Sequence, residues 1–91
     1  PVMLENTLVS LGASQRSAQV SGKAMLTVLD GLADTLWVLA TAYDVSGNIV
    51  GFRRWEADNP VAGGETVEFS FLLSSMGPDI TRVEFLSEAR P

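Results

Sequence analysis

Turn-forming residues recur along this chain about every ten positions, and that spacing limits its fold more than any other feature. Gly12, Gly22, Asp30-Gly31, Ser46-Gly47-Asn48, Asn59-Pro60, Gly63-Gly64 and Gly77-Pro78 cut the sequence into short runs. Runs of that length suit strands, and the punctuation predicts strands near 2–9, 17–28, 35–44, 48–57, 66–73 and 80–88 in an all-β domain. With 91 residues there is room for one core, so residues 1–91 read as a single domain. The chain opens at Pro1 without an initiator Met or an apolar leader, and the expectation is a domain excised from a larger protein.

Alternation assigns the faces. Val67, Phe69, Phe71 and Leu73 are apolar, with Glu68 and Ser70 between them, so one face is expected to be buried and the other wet. Val83 and Phe85 alternate with Arg82 and Glu84 in the same way. The run 35–44 differs: Leu36, Val38, Ala40 and Ala42 form one apolar row, and Trp37, Leu39 and Tyr43 form a second on the opposite side. Both rows cannot enter one two-layer core. The outward row therefore needs cover from Val2-Met3-Leu4, from the arm Phe52 to Trp55, or from a second protomer. A helix competes over Met25–Tyr43, where Met25, Leu29, Leu32, Leu36, Leu39 and Tyr43 fall at helical spacing. Gly31 beside Asp30 and the β-branched pair Thr27-Val28 weigh against it. Between Tyr43 and Val50, Asp44 can accept hydrogen bonds from turn amides, and Gly47 can adopt the positive φ of a hairpin turn.

Composition removes most chemistry. With no Cys and no His, the chain has no disulfide, thiolate ligand, cysteine nucleophile or histidine base. Six basic and eleven acidic residues leave a net charge of −5, a field that repels nucleic acids and acidic membrane surfaces. Arg53-Arg54 beside Trp55 is the one basic cluster, and its plain reading is surface charge. The apolar stretch Leu32–Tyr43 contains Asp34, which argues against insertion into a membrane. Asp44, Ser46 and Asn48 have the spacing of a few calcium ligands but lack further carboxylates and a distal bidentate Glu, so no metal or other cofactor is expected. Paired carboxylates such as Glu65 with Glu68, or Asp58 with Glu56, could in principle act as a glycosidase pair. Glu65 and Glu68 are three apart and would point to opposite faces of a strand, a 91-residue sandwich has little room for a deep cleft, and an enzyme is not expected.

Three segments in order carry a resemblance. Val20-Ser-Gly22-Lys is followed by Leu36-Trp-Val38-Leu-Ala40-Thr-Ala42-Tyr43-Asp44-Val-Ser-Gly47-Asn-Ile-Val50, and then by Val61-Ala-Gly-Gly64-Glu65-Thr-Val67-Glu-Phe69-Ser-Phe71. Over residues 18 to 88 the chain resembles the FxLYD-type bacterial immunoglobulin-like domain. Ala42 stands where that family has a larger aliphatic residue, and Gly63-Gly64 where it has Pro-Gly. The resemblance implies an immunoglobulin-like antiparallel β-sandwich of about seven strands, in a secreted or envelope-anchored bacterial protein. It implies no catalytic residue.

The functional expectation is a non-catalytic spacer or interaction module. Its partner would be a protein or the neighbouring domains of the parent chain, with a weak homodimer as a further possibility and no nucleic acid. The candidate interaction surface is Trp37, Leu39, Tyr43, Arg53 and Trp55. The alternative is a ligand-binding module whose aromatics stack on carbohydrate. Phe71 lies on the most regular buried row, so Phe71→Ala should cost about 3–5 kcal/mol. Most of a small domain's stability would be lost, and a melt within a degree or two of wild type would show that the strand is inverted.

Overall fold

The computed structural model describes residues 2–27 and 31–90, and it is all-β. The strands are β1 (Val2–Leu11), β2 (Ser17–Leu26), β3 (Leu32–Ala33), β4 (Thr35–Tyr43), β5 (Ile49–Glu56), β6 (Val61–Ala62), β7 (Thr66–Ser74) and β8 (Arg82–Arg90). Three antiparallel sheets result, ordered β1-β2-β7, β5-β4-β8 and the short ribbon β3-β6. The six long strands lie close to the runs that the turn residues delimit. Of the competing helix, residues 28–30 lie outside the described residues, as does the last residue of the strand expected over 17–28. Residues 32–33 and 35–43 are strand.

The strand count is eight rather than about seven, because the connections β2–β4 and β5–β7 each contain a two-residue strand, β3 and β6, and these pair with each other. Gly63 N–H donates to Gly31 C=O at 2.8 Å and Gly64 N–H to Leu26 C=O at 2.8 Å. The Glu65 carboxylate accepts from the Ala62 amide at 2.9 Å, which fixes the corner from its own side chain. At the opposite end, β8 starts at 82 rather than 80. There the Ile80 amide donates to Gln15 C=O and the Thr81 amide to Tyr43 C=O, both at 2.8 Å, so these residues tie the layers together before the strand begins.

One core joins the two large sheets, an arrangement consistent with a β-sandwich. Its buried row from β2 is Ala18, Val20, Ala24 and Leu26, and β4 supplies Leu36, Val38, Ala40 and Ala42. Phe69, Phe71 and Leu73 come from β7, and Ile80 plugs the end. Size is distributed by position. The central strands β2 and β4 contribute alanines together with Val20, Leu26, Leu36 and Val38, while the aromatic side chains come from the flanking strands. Gly22 lies directly across from Phe69, and a Cβ there would stand 2.7 Å from Phe69 Cζ, so the ring occupies the space above the glycine.

The molecule is long and thin, 43 × 20 × 18 Å, with a radius of gyration of 14.0 Å where a compact chain of this length would have about 12 Å. Its accessible surface is 5452 Å², somewhat above the roughly 5,100 Å² expected from mass scaling. The hairpin between β4 and β5 has the expected chemistry: Asp44 Oδ1 accepts from the Ser46 and Asn48 amides at 3.0 and 2.9 Å, and Gly47 has φ of 83°.

Two glycines should separate steric from conformational constraint. At Gly51 a Cβ would run into the carbonyl oxygen of Ser74, whereas nothing lies within 4 Å of Gly47. Gly51→Ala should therefore destabilise by about 1–3 kcal/mol, as overpacking against backbone does. Gly47→Asn should melt close to wild type, because Asn tolerates the left-handed region. Thermal melts of both variants check the contrast.

Candidate functional site

The outer faces of the two large sheets differ in how their apolar residues are arranged. On β1-β2-β7 the outer row carries Gln19, Ser21 and Lys23 beside Glu68 and Ser70, and Gln19 Nε2 donates to Ser70 Oγ at 2.7 Å. The same face also carries Leu8 opposite Ser21 and Leu72 opposite Gln19, both exposed, so its apolar residues are interspersed with polar ones. On β5-β4-β8 the outer row of β4 is Trp37, Leu39, Thr41 and Tyr43, all half-buried. Register extends the apolar surface to both sides. Leu39 is opposite Leu86 on β8, Thr41 is opposite Phe52 on β5, and Tyr43 is opposite Ile49 past a bulge. Phe52, Leu86 and Ile49 are 69%, 60% and 59% exposed. A shallow hollow of about 280 Å³ lies along Leu39, Thr41, Tyr43, Glu84 and Leu86.

Charge encloses this strip in a regular way. The Arg54 guanidinium lies 5.0 Å from the centre of the Trp37 ring, and its Nη2 meets Glu56 Oε1 at 3.0 Å. Arg82 lies 4.2 Å from the Tyr43 ring centre, and its Nη1 meets Glu84 Oε2 at 2.7 Å. A third pair joins Arg90 Nε to Glu88 Oε1 at 3.0 Å. Each pair is formed by residues two apart on one strand, so both members share the outer face. These exposed pairs contribute little stability individually. They do hold two guanidinium planes over two aromatic rings, which is the cover that the outward row of β4 requires. Of the expected covering groups, the arm around Phe52 to Trp55 supplies Arg54. Val2-Met3-Leu4 pairs with β2 instead, and Val2 and Leu4 pack against the core.

The five residues singled out from the sequence do not form one surface. Trp37, Leu39 and Tyr43 share the outer face of β4. Arg53 is paired with Ala40, and Trp55 with Val38, so both point to the inner side. Trp55 is half-buried with its ring 5.8 Å from that of Phe69. Arg53 leans across the sandwich edge, its Nη1 donating to Leu72 C=O at 2.9 Å and its guanidinium 5.9 Å from the Phe71 ring centre. The arginine on the apolar face is Arg54. Phe52, expected only as part of a covering arm, belongs to this face itself, together with Leu86 and Ile49. Their signal was present as alternation within β5 and β8, but only the register brings them beside Leu39 and Tyr43.

Among the described residues no group of three or more Asp or Glu side chains is placed to hold a metal ion. No helix among them is long and apolar enough to cross a membrane. Comparison with models of protein families, with curated proteins and with solved structures found no match to this chain.

The stacked arginine can be tested directly. In a Trp55→Phe background, where Trp37 is the only indole, Arg54→Ala should raise acrylamide quenching of Trp37. It should lower stability by about 0.5–1 kcal/mol, the range for an exposed cation–π contact. Unchanged quenching would mean that Arg54 does not cover the ring.

Proposed function

We propose that this chain is a non-catalytic immunoglobulin-like module, a spacer or protein-interaction domain of a secreted or envelope-anchored bacterial protein. The connectivity supports the immunoglobulin-like reading. β2 neighbours β7 in one layer, while β4 neighbours β8 in the other with β5 on its far side. That is the order of strands A-B-E and C′-C-F in an immunoglobulin-like Greek key.

The observation that carries the functional reading is the apolar outer strip of β4, extended by Phe52 and Leu86 and bordered by Arg–Glu pairs. An apolar centre with a charged, solvated rim is how protein-contact surfaces are built. Arg54 and Arg82 lie against the rings of Trp37 and Tyr43, and Trp55 turns inward. These placements leave no open row of aromatics on which a sugar would stack, and they favour a protein partner over carbohydrate.

Site-directed photo-crosslinking in the native host tests this reading. A benzophenone side chain at Leu39 should capture a protein partner or a neighbouring domain, and the same group at Lys23, which lies between Glu5 and Glu68 on the other sheet, should not. Trp37→Ser should abolish the capture while shifting the melting midpoint by no more than a few degrees. A severe loss of stability on Trp37→Ser would make it a core residue and remove the surface. Glycan binding that disappears on Trp55→Ala, or a hydrolytic activity lost on one point mutation, would replace the reading.

A further inference from the structure

The two long seams of the sandwich are finished differently. Along β5 and β7 the layers are closed: Trp55 packs on Phe69, Arg53 reaches Leu72 C=O, and the Met76 amide donates to Val50 C=O at 2.8 Å. Along β1 and β8 they are not. Register places Val9 opposite Val20 and Leu11 opposite Ala18, on the inner side, and yet Val9 is 40% and Leu11 41% exposed. On β8 the inner row Val83, Phe85 and Ala89 is only half-buried. Strand β8 pairs with β4 on one side and with no strand among the described residues on the other. A free edge beside an incompletely covered apolar row is a place for strand addition.

The charges of β8 are complementary to those of a second copy of this chain in a shifted register. Its outer side chains read Arg82, Glu84, Leu86, Glu88 and Arg90, a pattern that is the same in both directions about Leu86. Antiparallel self-pairing centred on Leu86 would oppose Arg82 to the partner's Arg90 and Glu84 to the partner's Glu88, so every charge would face its like. A one-residue slip would set inner faces against outer faces. A two-residue shift, centred on Phe85, opposes Arg82 to the partner's Glu88 on both sides of the axis. It also sets Phe85 against the partner's Phe85 and Val83 against the partner's Ser87 on the inner side. The equivalent shift toward Ser87 matches Glu84 with the partner's Arg90 but leaves Phe85 facing only the partner's Ala89.

We propose that two copies of this chain pair antiparallel through the free edge of β8, in the register centred on Phe85. The pairing makes one continuous sheet, β5-β4-β8 followed by its two-fold copy. It covers the half-buried inner row of β8 and brings the β1 edges together in the facing layer, over Val9 and Leu11. The apolar outer strips of the two copies then lie side by side on one face. The proposal does not rest on the module reading above. A strand pair with a small apolar rim makes a weak dimer, and the net charge of −5 on each copy opposes it only over the screening length of about 8 Å.

Sedimentation equilibrium on the whole chain, from ~10 μM to ~1 mM, tests the association, because a complex of this size dissociates within that range. Glu88→Arg should raise the dissociation constant by about tenfold or more, since it places like charges opposite each other twice. Arg82→Glu combined with Glu88→Arg should restore it. The chain has no cysteine, so register can be read by oxidation: Phe85→Cys should form a disulfide with its own copy and Leu86→Cys should not. Melts of each variant establish that it is folded, and wild-type sedimentation needs no variant at all. A monomer throughout the range overturns the proposal. So does a dimer lost on Trp37→Ser but indifferent to Glu88→Arg, which would place the contact on the outer strip. Cross-linking through Leu86→Cys in preference to Phe85→Cys would overturn the register and, with it, the charge argument.

Discussion

The structure depends on the Phe69 ring seated over Gly22. The two residues are direct partners across β2 and β7, and the missing side chain of the glycine is what lets the ring lie flat in the core. From that position the ring reaches Trp55 at 5.8 Å, Phe71 at 6.1 Å and Phe85 at 6.4 Å. One side chain on one sheet thus touches both flanking strands of the other. Such aromatic contacts add about 0.5–1.5 kcal/mol each to the burial of the rings themselves. A β-branched or larger residue at 22 would displace the ring and uncouple the layers.

The alanines along β2 and β4 and the aromatic residues on their neighbours fit the same contact. Ala18, Ala24, Ala40 and Ala42 bring the centres of the sheets together, and the aromatic residues fill the widening margins. On the β5–β7 margin Trp55, Phe69 and Phe71 fill the space and Arg53 closes it over. On the β1–β8 margin only Phe85 is aromatic, and the opposing strand is bulged between Glu5 and Leu8 with Asn6 at φ 52°. The asymmetry of the edges is therefore an outcome of where the aromatic side chains fall. The accessible surface above that of a compact chain and the half-exposed Val9 and Leu11 are its consequence.

Much of this was legible in the residues. The burial of Phe69 and Phe71, the turn at Asp44 and Gly47, and the two apolar rows of β4 follow from period-two alternation and turn chemistry, which are local properties. The candidate surface was only partly legible. Arg53, Arg54 and Trp55 are consecutive, so alternation separates Arg54 from the other two but does not say which side meets Trp37. That depends on the pairing of β5 with β4, where a bulge between Ala42 and Tyr43 shifts the register by one residue. A β-bulge is a tertiary accommodation with no fixed sequence signature here, and it decided which arginine covers the tryptophan.

By itself, then, the sequence determined the six long strand segments, their inner and outer rows and, through its composition, the exclusion of cysteine and histidine chemistry. The segments and their rows are set by side chains within a few residues of one another. Only the tertiary structure decided which strands are neighbours, which seam is closed and which edge remains free. Those outcomes depend on contacts between residues far apart in the chain, such as Gly22 with Phe69, Arg53 with Leu72 and Gly51 with Ser74. Their geometry is fixed by how two twisted sheets can meet around rings of a given size, a condition that no single segment carries.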